Sequence, residues 1–276
     1  MAEIRNRQKR MALINDISGF GRCSITVALP IISYLKIQCC PLPTSIFSNH
    51  TAYPSYYFED FTQQMLPYMQ EWKKLGLRFD AIYTGFLGSL EQIAIVSSFF
   101  QMFKREDTLV IVDPVMGDWG KPYSTYTDAM CREFKSLVQY ADILTPNLTE
   151  ACILTDTPYK ERFRQQEVID IAKKLSVMGP KKIVITGIPQ KSYIANLCYE
   201  KEKEPCFRKS HKIGTERSGT GDVFSSVIAA DAVNQIPFDE SVKRASSFVK
   251  KCIQKSIEYN IPPNDGVCFE EVLTFL

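Results

Sequence analysis

Thr108-Leu109-Val110-Ile111-Val112-Asp113-Pro114-Val115-Met116-Gly117-Asp118 is the stretch on which the fold turns. Leu109 to Val112 is an unbroken aliphatic run that stops at an Asp-Pro step. So apolar a strand is buried on both faces, as in parallel sheets covered by helices on either side. Its end should therefore open onto a crevice, with Asp113 and Asp118 at the carboxyl edge. Asp, Pro and Gly are also ordinary turn residues, so the stretch alone admits a plain surface turn.

Working outward, the same alternation recurs. Upstream, Ala12 to Asn15 reads as a short buried strand. A helix over Ser24 to Leu35 carries Pro30 as an irregularity. Apolar residues resume at Ile46-Phe47, a helix spans Phe61 to Leu75, and Asp80 to Thr84 is a strand followed by a helix through Phe103. Downstream come a helix over Asp128 to Val138, a short strand Asp142 to Leu144, a helix over Glu167 to Met178 and the strand Ile183 to Thr186. Ser192 to Cys198 and Pro205 to Lys209 form a hairpin. Helices after Asp222, over Asp239 to Ile257 and near Phe269 complete the chain. Strands alternating with helices specify an α/β fold with a mostly parallel central sheet. No repeat or linker divides the chain, which reads as one domain over residues 1–276, with residues 1–10 as a flexible basic end.

Composition narrows the function classes. A formal net charge of +2 gives no reason to expect nucleic acid, and no apolar run approaches the about 20 residues that span a bilayer. Nine cysteines with no Cys-x-x-Cys pair fit reduced thiols in a cytoplasmic protein. With only His50 and His211 available, a histidine-rich zinc site is out of reach.

Polar motifs cluster after the strands, where ligands bind in such folds. Ser218-Gly219-Thr220-Gly221-Asp222 precedes an apolar, small-residue helix. Its glycines permit close backbone approach, and free N–H groups at the helix start suit an anion. Asp222 is then either a helix cap or a base beside an anion hole. Thr145-Pro146-Asn147-Leu148-Thr149-Glu150 offers Asn147 or Thr149 as a cap and Glu150 as a further carboxylate. With Asp113 and Asp118 these outline a Mg²⁺–phosphate site. Neither a P-loop nor a G-x-G-x-x-G fingerprint is present. Ser48-Asn49-His50-Thr51-Ala52-Tyr53 is dense in hydrogen-bonding groups, and His50 reads as a binding residue rather than a catalyst.

Taken together, Phe47-Ser48-Asn49-His50-Thr51, Thr84-Gly85-Phe86-Leu87-Gly88-Ser89, Asp113-Pro114-Val115-Met116-Gly117-Asp118, Thr145-Pro146-Asn147-x-x-Glu150 and Gly219-Thr220-Gly221-Asp222 resemble the pyridoxal kinases of the ribokinase-like superfamily. The resemblance runs in order from Ala12 to Val249. It implies a three-layer α/β/α sandwich with little or no separate lid domain. It also implies ATP-dependent phosphorylation of the 5′-hydroxymethyl group of a vitamin B6 vitamer, with Mg²⁺, a monovalent cation such as K⁺, and a homodimer. Asp222 would be the base, with Gly219, Thr220 and Gly221 as the anion hole. The B6 pocket would draw on Asp16, Ser18, Phe47, His50, Thr51 and Tyr83. ATP would be held by Asp113, Tyr123, Thr145, Asn147, Glu150 and Thr186, with Asp118, Glu150 and Asp113 toward the metal. The chain departs from the family at Asn15-Asp16-Ile17, where a Gln-Ser-His stretch is usual, so Asp16 takes the place of a ring-contacting serine. A related hydroxymethylpyrimidine kinase, in which cysteine often replaces the aspartate matching Asp222, is the first rival reading. A non-catalytic B6-binding protein and a sugar kinase are the others.

Overall fold

A computed structural model describes residues 8–276. Most of the expected flexible end lies outside the described residues, and the remainder is ordered. Lys9 donates to the Val233 carbonyl and Arg10 opens the first strand, its N–H bonded to Asp80 at 2.7 Å.

In chain order the elements are β1 (Arg10–Ser18), α1 (Ile25–Tyr34), β2 (Gln38–Phe47), β3 (Phe58–Asp60), α2 (Thr62–Lys74), β4 (Ala81–Thr84), α3 (Leu90–Phe103) and β5 (Leu109–Val112). There follow β6 (Gly117–Asp118), β7 (Lys121–Pro122), α4 (Asp128–Val138), β8 (Ile143–Leu144), α5 (Leu148–Leu154), α6 (Gln165–Val177) and β9 (Lys182–Gln190). The chain ends with β10 (Tyr193–Glu200), β11 (Cys206–His211), α7 (Thr220–Val233), α8 (Phe238–Glu258) and short 3₁₀ turns. Nine strands form one sheet in the order β11-β10-β9-β8-β5-β4-β1-β2-β3. From β2 to β9 all pairings are parallel, and β3, β10 and β11 add antiparallel edges.

Strand alternation builds the layers. Ala12, Ile14, Ile82, Val110, Val112 and Leu144 pack against α2 to α6, whereas Met11, Leu13, Ala81, Tyr83, Ile111 and Val184 pack against α1, α7 and α8. The apolar run at Leu109 thus feeds two cores, as its sequence requires. The sandwich has three layers. Among the described residues, the only structure outside the main sheet at its carboxyl rim is the small β6–β7 hairpin.

Four strands, β2, β3, β6 and β7, escaped the sequence reading. β2 carries Pro41 and Pro43, which argue against a central strand. Gln38 donates its N–H to the Lys9 carbonyl, so N–H groups at even positions of β2 face β1. The odd-numbered prolines turn their missing donors to the open side, and β3 pairs only with Ser45 to Phe47. β1 is longer than expected and runs to Ser18, with its register to β2 slipping between Asn15 and Ile17. Such irregularities re-aim side chains at sheet ends. Here the affected residue is Asp16.

Candidate active site

β1 is the topological switch point. Its connection through α1 leads to β2 on one side, and the return through α2 leads to β4 on the other. A crevice opens at such a point, outside the carboxyl ends of the strands. Asp16 and Ser18 from β1, Phe47 from β2 and the loop after β4 meet there, and α7 points its first turn at the same rim.

Gly219 starts α7 in the left-handed region at φ 78°. A Cβ there would lie 2.0 Å from the Arg22 carbonyl oxygen, so only glycine fits. A Cβ on Gly221 would meet nothing within 4 Å, which leaves an open cradle over the helix start. No side chain caps this helix. Asp222 instead turns its carboxylate toward Asn15 and the N–H of Ser24, which answers the cap reading with a different arrangement. Ser24 holds φ 57° and ψ −136°, a costly conformation for a residue with a side chain, and its hydroxyl serves Asp16.

The acids at this rim share a shortage of cations. Burial pushes the Asp16 carboxyl up to about 6, against hydrogen bonds from Ser24 and from the Ser18 hydroxyl at 3.0 Å. Burial, with Asp222 nearby, pushes Asp113 up to about 7, while Ser225 and Thr145 act against the rise. Asp222 is raised chiefly by burial as well. Glu150 is raised well above the usual carboxylate range by burial and by Asp113. Neither lysine nor arginine is among the leading influences on these four groups, and the one basic side chain among them, His50, lowers Asp222 from a distance. Oxygen-rich, under-neutralised and set beside an anion cradle, the donor set fits a hard divalent cation carried in with phosphate.

Glu150 is less free than the sequence implies. Its carboxylate accepts the N–H groups of Asn147 at 2.7 Å and Met116 at 3.2 Å, while Asn147 accepts the Glu150 N–H at 2.9 Å. This capping box starts α5. Both Glu150 carboxylate oxygens are therefore already engaged with backbone N–H groups. Nor do three such side chains converge on one point among the described residues. The expected Mg²⁺–phosphate site is thus not a cage of side chains alone. Asn147 also donates from Nδ2 to the Gly117 carbonyl at 2.8 Å, so it positions the hairpin and has no amide proton free for ATP on that side. Thr149 accepts the Gly120 N–H at 2.9 Å.

The hairpin β6–β7 carries exposed Asp118 at the rim, its Oδ1 accepting the Trp119 N–H at 2.8 Å. Tyr123 follows, and Glu150, Asp118, Asp222 and Asp113 join burial in raising its hydroxyl well above the usual tyrosine range. That hydroxyl thus faces the whole acidic rim. Thr145 is buried and accepts the Ser225 hydroxyl at 3.0 Å; Thr186, half-buried, bridges to Asn147 one strand away.

On the other side, Phe47 packs against Phe58 and Phe86 with ring centroids 4.8 and 6.2 Å apart. His50 is held at both ring nitrogens. Nδ1 accepts the Ala52 N–H at 3.2 Å, so Nε2 carries the proton and donates to the Asn264 carbonyl at 2.6 Å. Thr51 is exposed beside it. Tyr53 reaches the Asp265 carboxylate at 2.7 Å, so the chain's last loop closes over this end. Tyr83 does not belong to the lining: it is fully buried among Met11, Leu13 and α7 and has no surface to offer a ligand. Its place on β4 is odd-numbered, on the face turned to α7, a register that Asp80 to Thr84 alone does not reveal.

Sequence reasoning missed Asn15, Ser24, Ser225 and Trp119. Ser24 and Trp119 owe their positions to positive φ angles of 57° and 54°, which their residue types do not advertise.

Comparison with known proteins agrees with this geometry. The profile of the phosphomethylpyrimidine kinase family matches residues 33–265. A pyridoxal kinase of Bos taurus is 28% identical over 204 residues, spanning 67% of this chain and 64% of the bovine protein, so the match falls short of two thirds of that relative's length. A crystal structure from Bacteroides thetaiotaomicron, provisionally named a phosphomethylpyrimidine kinase and solved with pyridoxal, is 37% identical, with TM-score 0.93 over 97% of this chain and 95% of that one. The pyridoxal kinase of Lactobacillus plantarum is 25% identical with TM-score 0.90, covering 96% and 95%. With its profile match over most of its length and its three-layer fold, the chain belongs to the phosphomethylpyrimidine kinase family of the ribokinase-like superfamily.

Proposed function

We propose that the protein, as one catalytic domain, transfers the γ-phosphoryl group of ATP to the 5′-hydroxymethyl group of a vitamin B6 vitamer. The observation that carries this reading is the meeting, at one rim, of an uncapped helix start with an open glycine cradle and a carboxylate in its first turn. In the reading, the N–H groups at Thr220 and Gly221 receive the transferring phosphoryl oxygens. Asp222 accepts the proton of the attacking hydroxyl. Tyr123 and the β6–β7 hairpin cover the phosphates, and Thr145 and Thr186 border them. Asp118 and Asp113 would hold Mg²⁺ together with phosphate oxygens, with Glu150 adding charge behind them; the metal neutralises charge on the transferring group. K⁺ is the proposed monovalent partner of this oxygen-rich rim.

The B6 ring would lie between Phe47, His50 and Thr51, with Asp16 and Ser18 beneath it. Asp16 favours a protonated ring nitrogen, since an opposite charge within about 4–6 Å stabilises the cation. The bound pyridoxal of the Bacteroides protein supports a pyridine substrate. The family profile keeps a second reading open, phosphorylation of hydroxymethylpyrimidine. Coupled ADP release with pyridoxal, pyridoxamine, pyridoxine and hydroxymethylpyrimidine separates them. A B6 vitamer with the highest kcat/KM supports the proposal, and hydroxymethylpyrimidine in first place overturns it. The same assay decides between pyridoxal and pyridoxine as preferred vitamer. A homodimer and a cytoplasmic location are proposed with this reading; among the described residues no helix is long and apolar enough to cross a membrane.

A further inference from the structure

We propose that Asn15 is the positioning residue for Asp222, its side-chain amide holding one carboxylate oxygen so that the other meets the hydroxyl to be phosphorylated. The inference rests on Asp222 being the base. Asn15 is 1% exposed and lies one residue before the register slip in β1. Its Oδ1 accepts two backbone donors, Phe86 N–H at 2.8 Å and Asp16 N–H at 2.9 Å. Two donors on one atom fix which end of the amide is oxygen, so the orientation is not open to a flip. Gly85 closes the other side: a Cβ there would sit 2.4 Å from Nδ2.

The amide is therefore locked, and its Nδ2 is a buried donor with no hydrogen-bond partner. A buried donor without a partner carries a cost unless something completes it. The group it faces is the Asp222 carboxylate, where Asn15 acts to favour the charged form. Other neighbours do not fill this role. Asp16 and Asp113 are acids, and His50 has both ring nitrogens engaged with backbone. Asn15 is the neutral, fixed side-chain donor available to that carboxylate. Asn15 Nδ2 and the Asp222 carboxylate are thus neighbours without a completed hydrogen bond, and catalytic hydrogen bonds commonly tighten only once substrate is bound.

Asn15→Asp tests the assignment, because it keeps both backbone contacts and exchanges only the donor for an oxygen facing Asp222. A double-mutant cycle with Asp222→Asn isolates the pair. Expected for Asn15→Asp is a kcat loss of roughly 10²-fold, the scale of a misplaced reacting group, with both KM values within a few-fold of wild type. In the Asp222→Asn background the same change should cost little further, and the melting temperature lost by Asn15→Asp should recover. Equal losses in both backgrounds would overturn the inference while leaving the base intact. Wild-type turnover in Asp222→Asn alone would remove the base reading and this inference with it. If Asn15→Asp does not fold, the wild-type Asn15 side-chain amide resonances serve instead. They should move on Asp222→Asn, and amide shifts that stay unchanged overturn the proposal.

Discussion

The Ser225 hydroxyl donates to the Thr145 hydroxyl at 3.0 Å, joining the second turn of α7 to the residue that follows β8. Both hydroxyls also face Asp113, which lies after the neighbouring strand β5. This contact ties the helix that carries Asp222 to the strand ends that carry the other acids. The contact links the anion cradle to the acidic rim, and the consequences can be measured residue by residue.

Asp222→Asn should leave ATP affinity nearly unchanged and lower turnover by roughly 10²–10⁴-fold, the usual worth of a positioned base. The helix has no side-chain cap to lose, so the melting temperature should not fall. Turnover within a few-fold of wild type would show that another group takes the proton.

The two glycines of the helix start should fail differently. Gly219→Ala forces a Cβ onto the Arg22 carbonyl at positive φ, so it should cost more than about 1 kcal/mol of stability and be visible as a lower melting temperature. Gly221→Ala meets no protein atom and should melt like wild type while losing turnover, because the methyl group occupies the phosphate cradle. Equal turnover in Gly221→Ala and wild type would move the phosphate elsewhere.

Asp118 and Glu150 should separate in the same way. Asp118→Asn, at an exposed position, should raise the Mg²⁺ concentration for half-maximal rate without changing the melting point. Glu150→Ala strands the part-buried Asn147 N–H and the buried Met116 N–H, and should cost about 1–3 kcal/mol of stability. An unchanged Mg²⁺ titration in Asp118→Asn would remove that carboxylate from the cation site.

Asp16 links pH to stability and to substrate choice. Its carboxyl rises from 3.8 to about 6 on folding, so the folded chain holds that proton more tightly than the unfolded one. The stability this provides is complete at low pH and is lost as pH climbs from 3.8 through about 6. Asp16→Ser should therefore flatten the melting-temperature profile across that window and reorder kcat/KM among the three vitamers, with ATP parameters steady. An unchanged vitamer ranking would take Asp16 away from the ring.

Much of this was legible in the chain because strong local signals agreed. Leu109 to Val112 reads clearly as a buried strand, α4 begins and ends at the expected residues, and the motifs after β5 and β8 lie at strand ends on one rim with Thr186 of β9. What stayed hidden depended on tertiary context. The prolines of β2 are tolerated only because their side of the strand is open. The β6–β7 hairpin turns through Trp119 at φ 54°, which no residue pattern announces for a tryptophan. Tyr83 looked available until the register of β4 turned it toward α7. Glu150 read as a free ligand because a capping box and a metal carboxylate share the same spacing.

The most direct test of phosphoryl transfer to a B6 vitamer is product mass. Wild type and Asp222→Asn are incubated with Mg²⁺, ATP and pyridoxal, and the pyridine product is followed by mass spectrometry. The account predicts one phosphate added at the 5′-oxygen, matched by one ADP, with formation slowed roughly 10²–10⁴-fold in the variant. ADP released without a phosphorylated pyridine, or equal product from both proteins, would contradict it.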